Sequence, residues 1–400
     1  MTTDVAVPPF PIDLYSAESF SNGHPADQYA WLRDHDPVHR HEAPDGGHFW
    51  AVTRHSDIKN VERSPEVFAA GPTVMLMEMG PSNGFYSMDA PEHARFRKLV
   101  VPRLLPKAVK IRMPQLEALA TEVVDQVVEA EECDVVEDIA ALMAAYTAAD
   151  LLGMPREDGR RLHELLMVMH SSVDVVGEEA MGNAMMELVA MGQAVYNDRR
   201  QNPRDDVYSL YANMDIDGEP ISEWDFLGHY LLLTDGSLDT SRNVIAGGIH
   251  LLLQNPDQRE RLLDDLDALL PAAVEEMLRL VSPVVYIVRR ALSDTVFAGR
   301  EIATGDRVAI YFGAGNRDPA IFSDPERFDV TRTPKNQIAF GSGGPHFCVG
   351  AHLGRAEITA VLRELLTRLP NFEQTGPHVW ASTSLTSGLA RLPVRFAAAS

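Results

Sequence analysis

The residues best suited to chemistry lie in the stretch Phe340-Gly341-Ser342-Gly343-Gly344-Pro345-His346-Phe347-Cys348-Val349-Gly350. Its glycines and proline predict a tight turn that leaves room beside Cys348 for something bulky. Beyond Gly350, apolar residues from Leu353 to Leu366 recur at three- and four-residue intervals, which predicts a helix. Cys348 therefore sits ahead of a helix, where the positive end of the dipole favours a thiolate. A thiolate on such a loop suits metal ligation, and heme iron is one metal that accepts it. Taken alone, such a cysteine is more often a small buried apolar residue than a ligand. A second group is His93 with Arg97, which share one helix face at i, i+4 behind Pro91. Two donors on one face suit an anionic group such as a heme propionate, or simply a solvated surface.

Helical patterns dominate the elements that must hold these groups. Short helices are expected at Pro25–Asp34 and at Ser56–Arg63, the latter capped by Ser56, and a strand at His48–Thr53. Ala69–Tyr86, with Met75, Met77 and Met79, reads as an adaptable apolar loop. Periodicity returns at Leu116–Val128, Ile139–Leu152, Gly159–Ser171 and Met181–Arg199. The longest pattern runs from Ser222, with Asp225 in a capping-box position, to Gln254; its 33 residues make a rod of roughly 50 Å. Asp235, Asp239 and Arg242 on it exclude a membrane span. Ala268–Val281 is a further helix, followed by a strand over Ser282–Arg289. Val296–Phe312 reads as a hairpin with its turn at Thr304-Gly305-Asp306, and Trp380–Phe396 as another with Leu385 and Thr386 near its tip.

The cysteine loop resembles the heme-binding signature of the cytochrome P450 family, with Phe340, Gly341, Gly343, His346, Cys348 and Gly350 supplying its parts. Phe340 stands eight residues before Cys348 where seven is common, so one residue is inserted near Gly344-Pro345. Four other segments match in order: Asp89 to Arg97, Gly236 to Thr240, Glu276 to Arg279, and Pro283 to Arg289. The resemblance implies a mainly α fold with a small β-rich region, a single triangular heme domain spanning 1–400. It implies heme b ligated by Cys348, with propionates anchored by His93, Arg97 and Arg289; Arg290 is the alternative, since neighbouring strand residues face opposite ways. Asp239 and Thr240 match the oxygen-activating pair: breaking the O–O bond needs protons, which a hydroxyl can present and a neighbouring carboxylate can resupply. Ser237 replaces a glycine common there. Glu276 and Arg279 match a buried structural pair whose further partner is expected at Arg317 or Arg327. Leu232, Gly236, Val285 and Ile287 are expected to line the substrate pocket. The break at Ser171–Gly177 joins two helices that form a lid in the family. Asp235 aligns with a position that is usually apolar, and lies i, i+4 from Asp239 in an unfavourable like-charge pairing. It contacts a polar group of the substrate or turns aside to pair within the protein.

Composition narrows the setting. The 400 residues are 45% apolar with a formal charge of −23, which excludes nucleic acid as a partner. No apolar run marks a signal peptide or membrane anchor, and Cys133 and Cys348 form no disulfide framework, so a cytoplasmic location is expected. Against this acidic background, Arg95, Arg97, Lys98, Arg103, Lys107, Lys110 and Arg112 form a run with no acidic residue between Glu92 and Glu117. Such a patch would steer an acidic electron donor, a ferredoxin, since the chain has no flavin or iron–sulfur motif. The activity implied is hydroxylation of a small-to-medium apolar molecule (steroid, terpenoid or fatty-acid-like) using O2. A peroxide-using peroxygenase is the alternative, although it would be expected to lack the Asp239-Thr240 pair; a heme-binding sensor would need neither pocket nor proton relay.

Overall fold

The computed structural model describes residues 7–76, 83–128, 130, 132–171, 173–333 and 335–397, so Met77 and Met79 lie outside it. Helices run in the order α1 (Ala26–His35), α2 (His55–Arg63), α3 (Glu92–Leu104), α4 (Pro106–Val128), α5 (Leu142–Leu152), α6 (Arg156–His170), α7 (Val173–Val176) and α8 (Glu178–Gln201). They continue as α9 (Val207–Ala212), α10 (Glu223–Gln254), α11 (Pro256–Asp264), α12 (Leu266–Val281), α13 (Phe312–Gly315) and α14 (Ala351–Arg368). A π-helical turn, Val135–Ala141, leads into α5.

The long helix α10 is the axis of the molecule. Ser222 caps it, its hydroxyl oxygen accepting from the Asp225 amide at 3.1 Å. The helix packs on α5, α8, α12 and α14, so its middle is buried nearly all round, as the apolar run Val244, Ile245, Ile249 and Leu252 requires. Together these helices enclose the larger core.

The β-rich side is a five-stranded sheet. Its order is β1 (Val38–Glu42), β2 (His48–Val52), β10 (Arg307–Tyr311), β7 (Tyr286–Ala291) and β3 (Phe68–Ala69). β2 and β10 are parallel and the other pairs antiparallel, and the sheet covers a second core around Phe49, Tyr286 and Tyr311. Small ribbons complete it: β4 (Glu132–Asp134) with β14 (Pro393–Ala397) and β11 (Asn371–Gln374), β5 (Asp215–Ile216) with β6 (Glu219–Pro220), β8 (Thr295–Phe297) with β9 (Arg300–Ile302), and β12 (Val379–Trp380) with β13 (Leu389–Arg391). Among the described residues no helix is long and apolar enough to cross a membrane.

Three local expectations are corrected. Ser56 does not cap α2: the helix starts at His55, whose amide donates to the Asp318 carboxylate at 3.0 Å, a cap brought from far along the chain. The tight hairpin turn falls at Ala298-Gly299, both at positive φ, rather than at Thr304–Asp306, which only leads into β10. The strand after α12 begins at Tyr286, because Ser282 takes a left-handed φ of 41° and breaks the extended run.

Candidate active site

The cysteine loop is a closed turn. The Cys348 amide donates to the Phe340 carbonyl at 2.9 Å, and α14 begins at Ala351 as expected. The inserted residue is absorbed by Gly341 and Gly343, at φ 85° and 94°, where a side chain would be strained. At Gly344 a Cβ would stand 2.0 Å from the Glu62 carbonyl oxygen, so the loop seats directly on the end of α2. Glu62 and Arg63 complete that seat: Glu62 Oε2 accepts from the Ser342 amide at 2.6 Å, and Arg63 donates twice to the Ser342 carbonyl. No sequence signal marked Glu62 or Arg63, since their partners lie about 280 residues away.

Phe340 and Cys348 both line one large cavity, about 1240 Å3 including its mouth, and the Arg355 guanidinium lies 4.4 Å from the Phe340 ring centre. The Cys348 side chain is accessible, but the surface it presents belongs to that cavity. Burial pushes its thiol up, against the amides of Gly350 and Ala351 and the charges of Arg97 and Arg355, which pull it down. A metal cation on the sulfur reverses that balance.

The cavity wall carries a positive cluster that Glu62 and Asp89 offset only from beyond ion-pair distance. Arg289 is 4% exposed and among the described residues donates only to the Val288 carbonyl, while Arg97 donates to the Phe347 carbonyl. Neither has a carboxylate within ion-pair distance among the described residues. His93 packs its ring 4.2 Å from that of His346, and its buried Nε2 has no partner among the described residues. Burial and the nearby Arg289 hold His346 neutral, down at about 3. One buried and one half-buried guanidinium group and an orphan imidazole, beside a cavity that holds a thiol, fit the two carboxylates and the iron of heme. Arg290 points the other way, to the Gly305 carbonyl.

Across the cavity stands α10. Leu232, Gly236, Ser237 and Thr240 line the cavity, and the Thr240 hydroxyl donates to the Gly236 carbonyl at 3.0 Å. Ser237 bonds its own helix, at the Leu233 and Thr234 carbonyls. Asp239 is on the other face, 1% exposed and caged. Arg242 donates to it at 2.8 Å and Asn243 at 3.0 Å, Thr386 adds a hydrogen bond, and His170 Nδ1 lies 3.6 Å away. Burial alone would raise its carboxyl, but Arg242 and His170 hold it below the usual range.

Two expected lining residues are corrected. Asp235 is not on the cavity wall: it turns aside to His170, whose Nε2 lies 3.0 Å from its carboxylate. Val285 is fully buried in the sheet core, and Val284 takes its place on the wall beside Ile287, because the strand begins only at Tyr286 and Val284 bridges to Thr386 instead.

Behind the cysteine, Glu276 and Arg279 form a doubly hydrogen-bonded pair at 2.7 and 2.8 Å with no exposure at all. The expected partner is corrected: Arg332 reaches Glu276 at 3.0 Å, while Arg317 pairs with Glu326 and Arg327 contributes only its carbonyl. One further group escaped the sequence reading. Glu357 on α14 accepts from the Ser241 hydroxyl at 2.9 Å, and full burial pushes its carboxyl up to about 8.

Residues 134–396 match the model of the family described as "Cytochrome P450". Linalool 8-monooxygenase of Pseudomonas putida is 33% identical, covering 96% of this chain and 98% of that one. Steroid C26-monooxygenase of Mycolicibacterium smegmatis is 32% identical, covering 96% of each. Among solved structures, a Mycobacterium marinum cytochrome P450 in complex with pseudoionone superposes with a TM-score of 0.91 at 31% identity, over 98% of this chain and 100% of that one.

Proposed function

The chain belongs to the cytochrome P450 family, and on that footing we propose that it hydroxylates a branched, apolar molecule of terpenoid, steroid or fatty-acid-like type, using electrons from a ferredoxin. As a family member it is a monooxygenase with heme b as its cofactor, and its substrates are apolar molecules and O2. Bound heme supplies dioxygen activation and the transfer of one oxygen atom to a C–H bond.

The chain's own residues divide the remaining work. Cys348 would hold the iron through Sγ, its thiol proton released to solvent. Arg97, Arg289 and His93 would donate to the propionates, with His346 packed against His93. Phe340 and Gly350 frame the sulfur and keep water from it. Thr240 Oγ1 would exchange its bond to the Gly236 carbonyl for one into the cavity and present its hydrogen there, and the Asp239 carboxylate, after taking a proton from solvent, would pass it on to replace the one given up. Glu276 and Arg279 fix the wall behind Cys348. We read residues 1–400 as one heme domain in the cytoplasm, with Cys133 a half-buried structural residue.

The observation that carries the substrate reading is the cavity wall itself. Leu232, Leu233, Val284, Ile287 and Phe312 line it, and Asp235, the one carboxylate expected there, is drawn away to His170. The relatives named for linalool and for steroids act on molecules of this kind. Titration of the heme-loaded protein with terpenoids, steroids and branched fatty acids tests it. Apolar branched ligands are expected to displace the iron-bound water and shift the Soret band; saturation by small hydrophilic ligands alone would contradict it.

The ferredoxin reading rests on the basic run. Arg95 and Arg103 are tied to Asp217 and Asp205, whereas Lys98, Lys107, Lys110 and Arg112 have no ion partner among the described residues. Leu105 and Ile111 stand 49% and 73% exposed among them, giving the patch an apolar centre.

A further inference from the structure

A second cavity lies away from the heme site and shares no lining residue with it. It opens between α6, α8, α9 and α10 and holds about 840 Å3 including its mouth, within the range of ordinary ligand pockets. Met154, Leu162, Met191 and Val195 give it an apolar wall. Tyr208 on α9 and Tyr230 on α10, each 1% exposed and with ring centres 5.1 Å apart, form its floor. The two phenols differ. The Tyr208 hydroxyl pairs with the Thr234 hydroxyl at 2.7 Å, whereas the Tyr230 hydroxyl is buried and has no hydrogen-bond partner among the described residues. A buried hydroxyl left in that condition is destabilising, and a ligand that pairs with it removes the cost.

The charges around the cavity select the polar group of that ligand. Asp158 on α6 lines the cavity near Tyr230 and has no ion pair among the described residues. Burial and that carboxylate raise the Tyr230 phenol above its usual range, so its hydroxyl stays a donor. The cations are already taken. Arg199 donates to Asp206 at 2.8 Å and also to Asp198 and the Gly153 carbonyl, and Arg204 holds Asp198 at 2.9 Å. An anion therefore meets a free carboxylate and no free guanidinium. An ammonium satisfies Asp158 but accepts nothing from the Tyr230 hydrogen. A hydroxyl suits both groups at once: its oxygen accepts from Tyr230 and its hydrogen goes to Asp158.

Resting on the monooxygenase reading, we propose that this cavity is a second ligand site that takes an apolar alcohol, the class of molecule the reaction makes. Tyr230 and Asp158 hold its hydroxyl, and the apolar wall covers its carbon skeleton. The parent hydrocarbon gains only the wall and leaves both polar groups unpaired, so the site favours product over substrate. Leu232 and Leu233, less than one turn beyond Tyr230 on α10, line the heme cavity, so one helix carries a wall of each site.

The test uses heme-loaded wild type, Tyr230→Phe, Asp158→Asn and Ala194→Trp, each first shown to give the thiolate-type ferrous carbonyl band. That band reports the family reading separately. The heme cavity is blocked with 4-phenylimidazole on the iron, and calorimetric titration follows menthol, p-menthane and menthylamine, which share one carbon skeleton. Blocked wild type is expected to bind one equivalent of menthol, and the hydrocarbon and the amine about tenfold more weakly. Tyr230→Phe and Asp158→Asn are expected to weaken menthol binding about tenfold. Ala194→Trp, at an exposed position on the cavity's edge, is expected to abolish it. In the unblocked protein none of the three variants is expected to change the Soret shift that apolar ligands cause. The proposal is overturned if blocked wild type takes up no menthol, or if p-menthane or menthylamine binds as tightly. It is equally overturned if the variants bind menthol as wild type does, or if their Soret response falls in parallel. Should Tyr230→Phe fail to fold, Asp158→Asn and Ala194→Trp decide the matter.

Discussion

A buried charge is informative when its partner is found, and most of the chemistry here turns on such partners. Arg279 is the largest fully buried side chain, and every nitrogen of its guanidinium has an acceptor. Its replacement by Ala leaves Glu276 buried with Arg332 as its remaining ion partner, at a cost of about 3–5 kcal/mol; denaturant unfolding measures it, and a loss below about 1 kcal/mol would contradict the picture. Glu357 titrates in the opposite sense to a salt-bridged carboxylate. Its folded-state value is raised from 4.5 to about 8, so the stability it contributes is complete below 4.5 and falls as pH rises through about 8. Glu357→Gln is therefore expected to be relatively more stable than wild type above that pH, read as a crossing of the two melting curves. That Glu276 meets Arg279 follows from spacing, because i, i+3 neighbours meet on any helix, while the burial of the pair was legible only through the family resemblance. Arg332 was not, because a partner 56 residues away is set by the path of the intervening chain.

At the scale of elements, the chain announces its long helices and conceals its joints. The limits of α10 agree with the Ser222 cap and the stop at Asn255-Pro256. The start of α2 and the first residue of β7 did not follow from local pattern. A distant carboxylate supplies the cap in one case, and a left-handed serine delays the strand in the other. That four-residue delay decides that Val284 rather than Val285 faces the cavity, since the alternation of faces begins only with the strand. The cysteine loop obeys a closer constraint. Gly344→Ala places a methyl group 2.0 Å from the Glu62 carbonyl, so the loop must leave its seat on α2. The expected result is weak heme retention in an otherwise folded protein, seen as a lowered Soret-to-protein absorbance ratio with unchanged far-ultraviolet circular dichroism. Unaltered heme content would contradict it.

For the whole molecule, charge is distributed with purpose. A net charge of −23 repels acidic partners everywhere except near the run that contains Lys98, Lys107, Lys110 and Arg112. Reversing two of these (Lys107→Glu with Lys110→Glu) is expected to slow reduction by an acidic ferredoxin about tenfold at low salt and to flatten the salt dependence of the rate, since exposed charges are screened beyond roughly 10 Å at 0.1 M. Stopped-flow reduction measures it, and an unchanged salt dependence would move the docking site elsewhere.

All of this rests on sulfur at position 348 facing iron across the cavity from Thr240. The most direct measurement is the spectrum of the dithionite-reduced protein under carbon monoxide. The account predicts the red-shifted Soret band of thiolate-ligated iron, abolished in Cys348→Ala. A band like that of a histidine-ligated globin, or a protein that takes up no heme when it is supplied, would contradict it.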